Sequence, residues 1–399
     1  MRNFTLAISV LSIIGILSVF IFNFLLVWII YVLRGERRIN ESLQNSQYAP
    51  SMTMIVVVRN GEDMIINKIE NALSLTYPND NFEIIIYSDG STDKTESIVE
   101  EFIKQRGENR VKLLTSAAHM GKINGMNEAV LSAKGEVLIF SDVDALINKE
   151  APEIIVKHLL AADVGGICGL RTIYEENKAT KDAQSAYISF DSYLKILESR
   201  IGSISSNEGK LYAIKRDLYK PIPPAVTDDL FVCMSVVEQG YRFVFDKDAK
   251  AYIKLPSRSA AHEIQRRRRI VSTSLKGIYI KINLLNPYKY GTFAFGLLMN
   301  KVMRRFLPVF MIVLFLCSMV LASYNSVIFL LILILQVLFY GAALTYWGIF
   351  EHSKYSIPIV TKVLSIAYYF TVGNYGTLRG LIDFLFGREI TRWTPIKND

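Results

Sequence analysis

The chain has 399 residues, 51% of them hydrophobic, with a formal net charge of +8. That hydrophobic share, with its excess at the two ends, excludes an ordinary water-soluble chain. Basic clusters at Arg266 to Arg269 and Arg304-Arg305 lie close to apolar stretches, which favours an anionic membrane face or phosphate-bearing substrates over nucleic acid.

Phe4 to Leu33 carries no charged residue and exceeds the roughly 20 apolar residues a span requires, so residues 1–34 read as a membrane anchor. Arg34, Arg37 and Arg38 follow and place the next segment in the cytoplasm. A polar linker, 35–50, leads into a soluble region, 51–285. There Met52 to Val58 reads as a strand, Gly61 to Leu75 as a helix and Phe82 to Tyr87 as a second strand. Ser88-Asp89-Gly90-Ser91-Thr92-Asp93 follows, where Ser91 or Thr92 can cap a helix running to about Gln105. Val111 to Leu114 is a third strand and Lys122 to Ser132 a helix. Val137 to Phe140 is then a buried strand that ends in Ser141-Asp142-Val143-Asp144. This alternation predicts a parallel sheet with helices on both faces.

Beyond it, Pro152 opens a helix to about Leu160, Val164 to Gly169 is a strand, and Ala183 to Arg200 is a helix. Leu211 to Ile214 is a short strand, and Thr227 caps a helix over Leu230 to Val237 whose first acids are Asp228 and Asp229. Ala260 to Ile282 is basic, then mixed. Residues 286–305 read as interfacial and 306–387 as a membrane bundle, with spans at Phe306 to Tyr324 and Ser326 to Phe350; 388–399 is a tail. Ile357 to Leu378 is interrupted by Lys362, Gly373 and Gly376. If it spans, Arg379, Arg388, Arg392 and Lys397 end outside, against the charge rule, so a re-entrant or interfacial course stays open. Cys168, Cys233 and Cys317 are scattered and the four histidines stand alone, giving neither a disulfide framework nor zinc spacing, as suits a reducing compartment.

The chemistry concentrates at strand ends, where open α/β sheets bind ligands. Asp142 and Asp144 are two hard oxygen donors that suit Mg²⁺ or Mn²⁺ shared with substrate phosphates. Asp89 can accept the ring N–H of a uracil, or simply form the turn before a helix. Asp228 and Asp229 are either acids on an acceptor or helix-start capping. Gln265 and Arg268, three apart, share a helix face, and arginines there hold a diphosphate or anionic lipid.

These features, with Gly121-Lys122-Ile123-Asn124-Gly125-Met126-Asn127, occur in one order over about Met52 to Lys276. They resemble the family-2 inverting glycosyltransferases, and within them the membrane-embedded polysaccharide synthases of exopolysaccharide, cellulose, chitin and hyaluronan type. The resemblance implies an α/β, Rossmann-like GT-A domain between N- and C-terminal transmembrane helices, in an integral protein of the cell membrane. It implies a UDP-sugar donor, with Asp89 at the base, Lys122 near the donor, Asp142 near the nucleotide and Asp144 on the metal. Asp229 falls at the catalytic base, and Asp228 beside it stands where the family has Glu. Gly209 in Asn207-Glu208-Gly209-Lys210-Leu211-Tyr212-Ala213 falls in the acceptor loop. Gln265 and Arg268 match a Q-x-x-R-W motif whose tryptophan is here Arg269, and Ser88 replaces the first acid of D-D-G-S-x-D. The implied acceptor is a growing β-linked polysaccharide. Single transfer to a polyprenyl-phosphate or other lipid-linked acceptor is the alternative, and a non-catalytic sugar-nucleotide binder a distant one.

Overall fold

The computed structural model describes residues 1–35, 48–173, 191–254, 259–351 and 357–390. Most of the 35–50 linker with Arg37 and Arg38, the start of the helix expected from Ala183, and the tail cations Arg392 and Lys397 lie outside the described residues.

Among the described residues the strands are β1 (Met52–Val58), β2 (Phe82–Asp89), β3 (Val111–Ser116), β4 (Val137–Phe140), β5 (Ala145–Ile147), β6 (Val164–Ile173), β7 (Tyr212–Lys215) and β8 (Arg242–Ile253). They form one sheet in the order β3-β2-β1-β4-β7-β6-β8-β5. The helices begin with α1 (Arg2–Leu17) and α2 (Asn23–Arg34), joined by a π-helical turn at Ser18–Phe22. In the soluble domain they are α3 (Ile65–Leu73), α4 (Thr95–Arg106), α5 (Lys122–Ser132), α6 (Ala151–Leu159), α7 (191–201), α8 (Asp228–Glu238) and α9 (Ala260–Ile280). The last four are α10 (Pro287–Leu297), α11 (Arg304–Ser323), α12 (Val327–Thr345) and α13 (Pro358–Leu385).

The parallel half follows from sequence. Along β1, Met52, Met54, Val56 and Val58 enter the core on one face and Ile55 on the other; β4 likewise divides Ile139 from Leu138 and Phe140. Strands covered on both faces are continuous apolar runs, and β3, β2, β1 and β4 pair in parallel, bringing their carboxyl ends to one edge. The other half departs from the expected parallel plan. β7 runs antiparallel to β4 with Phe140 opposite Tyr212, and β5 and β8 lie outside the predicted strands. Two residues beyond that register pair, Asp142 faces Lys210 across the sheet end.

Among the described residues three helices are long and apolar enough to cross a membrane: Arg2–Leu33, Pro287–Ser323 and Val327–Phe350. The first packs on α11 through small residues, as membrane helices do: a Cβ at Gly15 would come within 2.8 Å of the Phe310 ring. α13 is one continuous helix, not broken at Gly373 or Gly376. It lies along α9, where a Cβ at Gly376 would meet Ile264 O at 2.9 Å and one at Gly380 would meet Arg268 O at 2.5 Å. The glycines that interrupt its apolar pattern form the seam that lets two backbones approach.

Two predicted caps are replaced. Asp93 Oδ1, rather than Ser91 or Thr92, accepts from Thr95 N at 3.0 Å. Thr227 is at the N-cap of α8 without a side-chain capping bond, and its hydroxyl pairs with that of Thr273 on α9 at 2.8 Å.

Candidate active site

β4 ends against the Ser141–Asp144 turn, and a buried lysine holds that turn from below. Lys68 Nζ donates to Ser141 Oγ at 2.7 Å and to Ala145 O at 2.5 Å. Burial lowers the Lys68 pKa to about 7, against the opposing pull of Asp142 and Asp144. Ser141 Oγ also donates to Lys210 O at 2.9 Å, tying the turn to the approach of β7.

Above this base runs a row of alternating charges. Lys122 Nζ stands 2.7 Å from Asp228 Oδ2 and 2.8 Å from Asp142 Oδ1. Lys210 Nζ stands 3.0 Å from Asp142 Oδ2 and 2.7 and 2.8 Å from the two oxygens of Asp144. Burial would raise the Asp142 pKa, yet Lys122 and Lys210 hold it well below the usual carboxylate range. Burial likewise opposes the charge on Lys122, but Asp142 and Asp228 keep that ammonium well above its ordinary pKa. Aspartates outnumber lysines in the row, so it keeps an excess negative charge.

Asp229 is the next acid on α8 and stands apart from the row. Its Oδ1 accepts from Leu230 N at 2.6 Å, and its backbone carbonyl accepts from Asn207 Nδ2 at 3.0 Å. Burial, then the neighbouring Asp228 charge, raises its pKa to about 7, while Lys301 and Lys122 pull it down. Gly209 lies against it: an added Cβ would sit 3.4 Å from Asp229 Oδ2. Lys122, Asp142, Ser141, Phe140 and Gly209 line one small crevice here.

The other expected site residues divide. Asp89 stands at the end of β2 but is 2% exposed, with its carboxylate committed to the loop ahead of α5. Oδ1 accepts from Met120 N at 2.7 Å, and Oδ2 meets Gly121 N at 2.9 Å and His119 Nδ1 at 2.8 Å. A carboxylate on these amides suits the positive end of α5, and it sets the start of the helix that carries Lys122. This is an anchoring geometry. Gly90 makes the turn possible, at φ +61° and with His119 N 2.6 Å from where a Cβ would be.

Arg268, expected at the donor, is paired with α13 in this structure. Its guanidinium forms a two-point pair with the buried Asp383 of α13, Nη2 to Oδ1 at 3.0 Å and Nε to Oδ2 shorter still. Arg266 and Arg267 both pair with Glu263, at 3.1 and 2.7 Å. Gln265 is exposed. Arg269, where the motif has tryptophan, is the member of the run that faces the site: burial works against its charge, and Asp228, then Asp142 and Asp229, offset this. Asn127 orients the chain after β7, accepting from Tyr219 Oη at 2.7 Å and Ile222 N at 2.9 Å.

Lys210, Lys68 and His119 escaped the sequence reading. Lys210 lies in the stretch weighed for Gly209 alone. Lys68 shares the buried stripe Ile65-Lys68-Ile69-Ala72 of α3, and a lysine on an apolar stripe is a signal in itself.

Among the described residues no three His, Cys, Asp or Glu converge to hold a metal ion. The donor set still fits Mg²⁺ or Mn²⁺ of the kind completed by substrate oxygens and water, because such ions are commonly bound by one or two carboxylates plus phosphates. Two lysine ammonium groups already lie against those carboxylates, so the cradle is built for positive charge.

A parallel sheet half that turns antiparallel after β4, with acids at that turn, defines a GT-A glycosyltransferase fold. Residues 53–222 match the model of Glycosyl transferase family 2. The chain is similar to poly-β-1,6-N-acetyl-D-glucosamine synthase of Staphylococcus epidermidis, 24% identical over 257 residues, covering 59% of this chain and 61% of that one. It is also similar to β-monoglucosyldiacylglycerol synthase of Nostoc sp., 27% identical over 205 residues, covering 50% of this chain and 43% of the relative. The match thus spans less than two thirds of either relative. Among solved structures, the mannosyltransferase of Pyrobaculum calidifontis in complex with GDP-Man and Mn²⁺ shares the fold, with TM-score 0.70 and 20% identity over 96% of this chain and 100% of that one.

Proposed function

We propose that this protein is a membrane-bound, inverting glycosyltransferase that moves a sugar from a UDP-sugar onto an acceptor at the cytoplasmic membrane face. The carrying observation is the division of its acids. Asp142 and Asp144 are paired with lysines, and Lys122 and Lys210 hold the Asp142 pKa well below the usual carboxylate range, whereas Asp229 is set apart against Gly209 with a pKa of about 7. A carboxylate titrating near neutrality is suited to take a proton from an acceptor hydroxyl. Carboxylates already paired with ammonium groups suit a divalent cation and diphosphate. Asp142 and Asp144 would hold Mg²⁺ or Mn²⁺, which when bound would neutralise charge gathering on the departing diphosphate. Lys122 contributes a second positive charge there. Asp228 holds Lys122 at the donor side, and Gly209 leaves room for the acceptor beside Asp229.

The acceptor reading is a growing β-linked oligo- or polysaccharide, supported by the likeness to a poly-N-acetylglucosamine synthase. A second reading, one sugar added to a polyprenyl-phosphate or other lipid-linked acceptor, is favoured by a specific observation. Arg268 is engaged with Asp383, and the stacking tryptophan is replaced by Arg269. The candidate spans and the Arg34 flank support an integral protein with this domain on the cytoplasmic side.

The test is the purified protein in detergent with Mn²⁺, a panel of UDP-sugars with GDP-mannose beside them, and one lipid or sugar primer. Release of nucleoside diphosphate coupled to a β-linked product is the expected result. A ladder of product masses supports elongation, and a single added sugar at every time and donor concentration supports the lipid-acceptor reading. No release from any donor refutes sugar transfer.

A further inference from the structure

We propose that Lys210 is a mobile countercharge that holds the Asp142–Asp144 pair ready and passes to the donor diphosphate when a divalent cation enters. The inference rests on the nucleotide-sugar reading above and concerns the same site. Both oxygens of Asp144 lie on Lys210 Nζ, at 2.7 and 2.8 Å, and Asp142 Oδ2 lies 3.0 Å away. A cation approaching Asp144 meets a like charge already seated against both of its oxygens, so the two compete for one carboxylate.

The competition is confined to the side chain. Lys210 O accepts from Ser141 Oγ at 2.9 Å, and Ser141 is in turn held by the buried Lys68 at 2.7 Å. The backbone of Lys210 therefore stays pinned to the acidic turn, while its long, flexible stem can swing about that fixed point. A divalent ion on the aspartates would repel the displaced ammonium, and the nearest new anion would be the diphosphate that shares the ion. Lys122 is placed differently: it bridges Asp142 and Asp228 and leaves Asp144 untouched. Lys210 thus neutralises the acids before binding and would supply positive charge to the leaving group afterwards.

The test separates the two halves. Mn²⁺ binding alone, read by electron paramagnetic resonance without nucleotide, should tighten by about ten-fold in Lys210→Met, because one hydrogen-bonded competing charge is gone. UDP binding in saturating Mn²⁺ should weaken by about ten-fold in the same variant, and UMP binding should change much less. Lys210→Arg, which keeps the charge, should retain the wild-type Mn²⁺ affinity and the preference for UDP over UMP. It also serves as the folding control. Unchanged or weaker Mn²⁺ binding in Lys210→Met, with wild-type UDP affinity intact, overturns the hand-over and leaves the donor reading standing. A wild-type protein that does not bind UDP with Mn²⁺ overturns both.

Discussion

Replacing Asp229 by Asn keeps the shape of the side chain and removes its ability to take a proton. Burial and the adjacent Asp228 raise the pKa from 3.8 to about 7, so wild-type turnover should rise with pH through that value. At about pH 6 roughly one tenth of the molecules would carry the ionised base, giving about a ten-fold lower rate than the plateau. Asp229→Asn should lower kcat by about 10²–10⁴-fold and flatten this limb, with UDP affinity nearly unchanged. Stability supplies an independent reading. An acid whose folded pKa is raised holds its proton more tightly when folded, so its contribution is lost as pH climbs from 3.8 to about 7. The full interval corresponds to at most ~4 kcal/mol. Asp229→Asn should therefore melt above wild type at about pH 8, and the two should converge near about pH 4. Donor turnover under single-cycle conditions and thermal melts across the same buffers measure both effects. A wild-type rate flat across this range, together with a variant of near-normal kcat, would falsify the base assignment.

Chelation should abolish turnover, and Asp144→Ala should lose it even at saturating donor; full activity in excess chelator would remove the metal from the scheme. Asp89→Ala should weaken UDP binding roughly ten- to hundred-fold by freeing the 119–121 loop. Because that route runs through Lys122, the fall should extend to every nucleoside diphosphate, and a loss confined to uridine would return Asp89 to the base. Arg268→Ala strips the two-point partner from the buried Asp383, leaving Arg388 Nη1 at 3.9 Å, and should cost up to about 3 kcal/mol, with little change in donor affinity for protein that remains folded. A collapse of diphosphate binding in folded Arg268→Ala would place the guanidinium at the donor after all.

Most of the parallel half of the sheet was legible because β1, β2 and β4 are buried on both faces and spell themselves as apolar runs, while the edge strand β3 buries little beyond Val111. In the other half, of mixed direction, β6 and β7 showed as strands but their pairing did not. β7 is four residues long, and nothing local says that it runs beside β4 in the opposite direction. That pairing brings Lys210 opposite Asp142, so a lysine two positions outside a short strand becomes part of the site through a long-range register. The soluble helices were found from their apolar periodicity, but their ends shifted where tertiary bonds took the capping groups, as with Thr227 and Thr273.

The same division separates the acids from the arginines. Asp142, Asp144 and Asp229 could be placed from sequence because a strand end and a helix start each fix where a carboxylate stands. Which partner a long side chain takes is a different question. Arg268 is a motif position on α9, and its partner lies 115 residues further along on α13. That contact is available because Gly376 and Gly380 let the two backbones meet. Sequence shows Gly376 as an interruption of an apolar stretch, and only the packed helices show it as a point where α9 and α13 meet. Arg269, one position on and about 100° around the helix, keeps the inward direction. The arginine nearest the acids is therefore the one at the position where the motif has tryptophan.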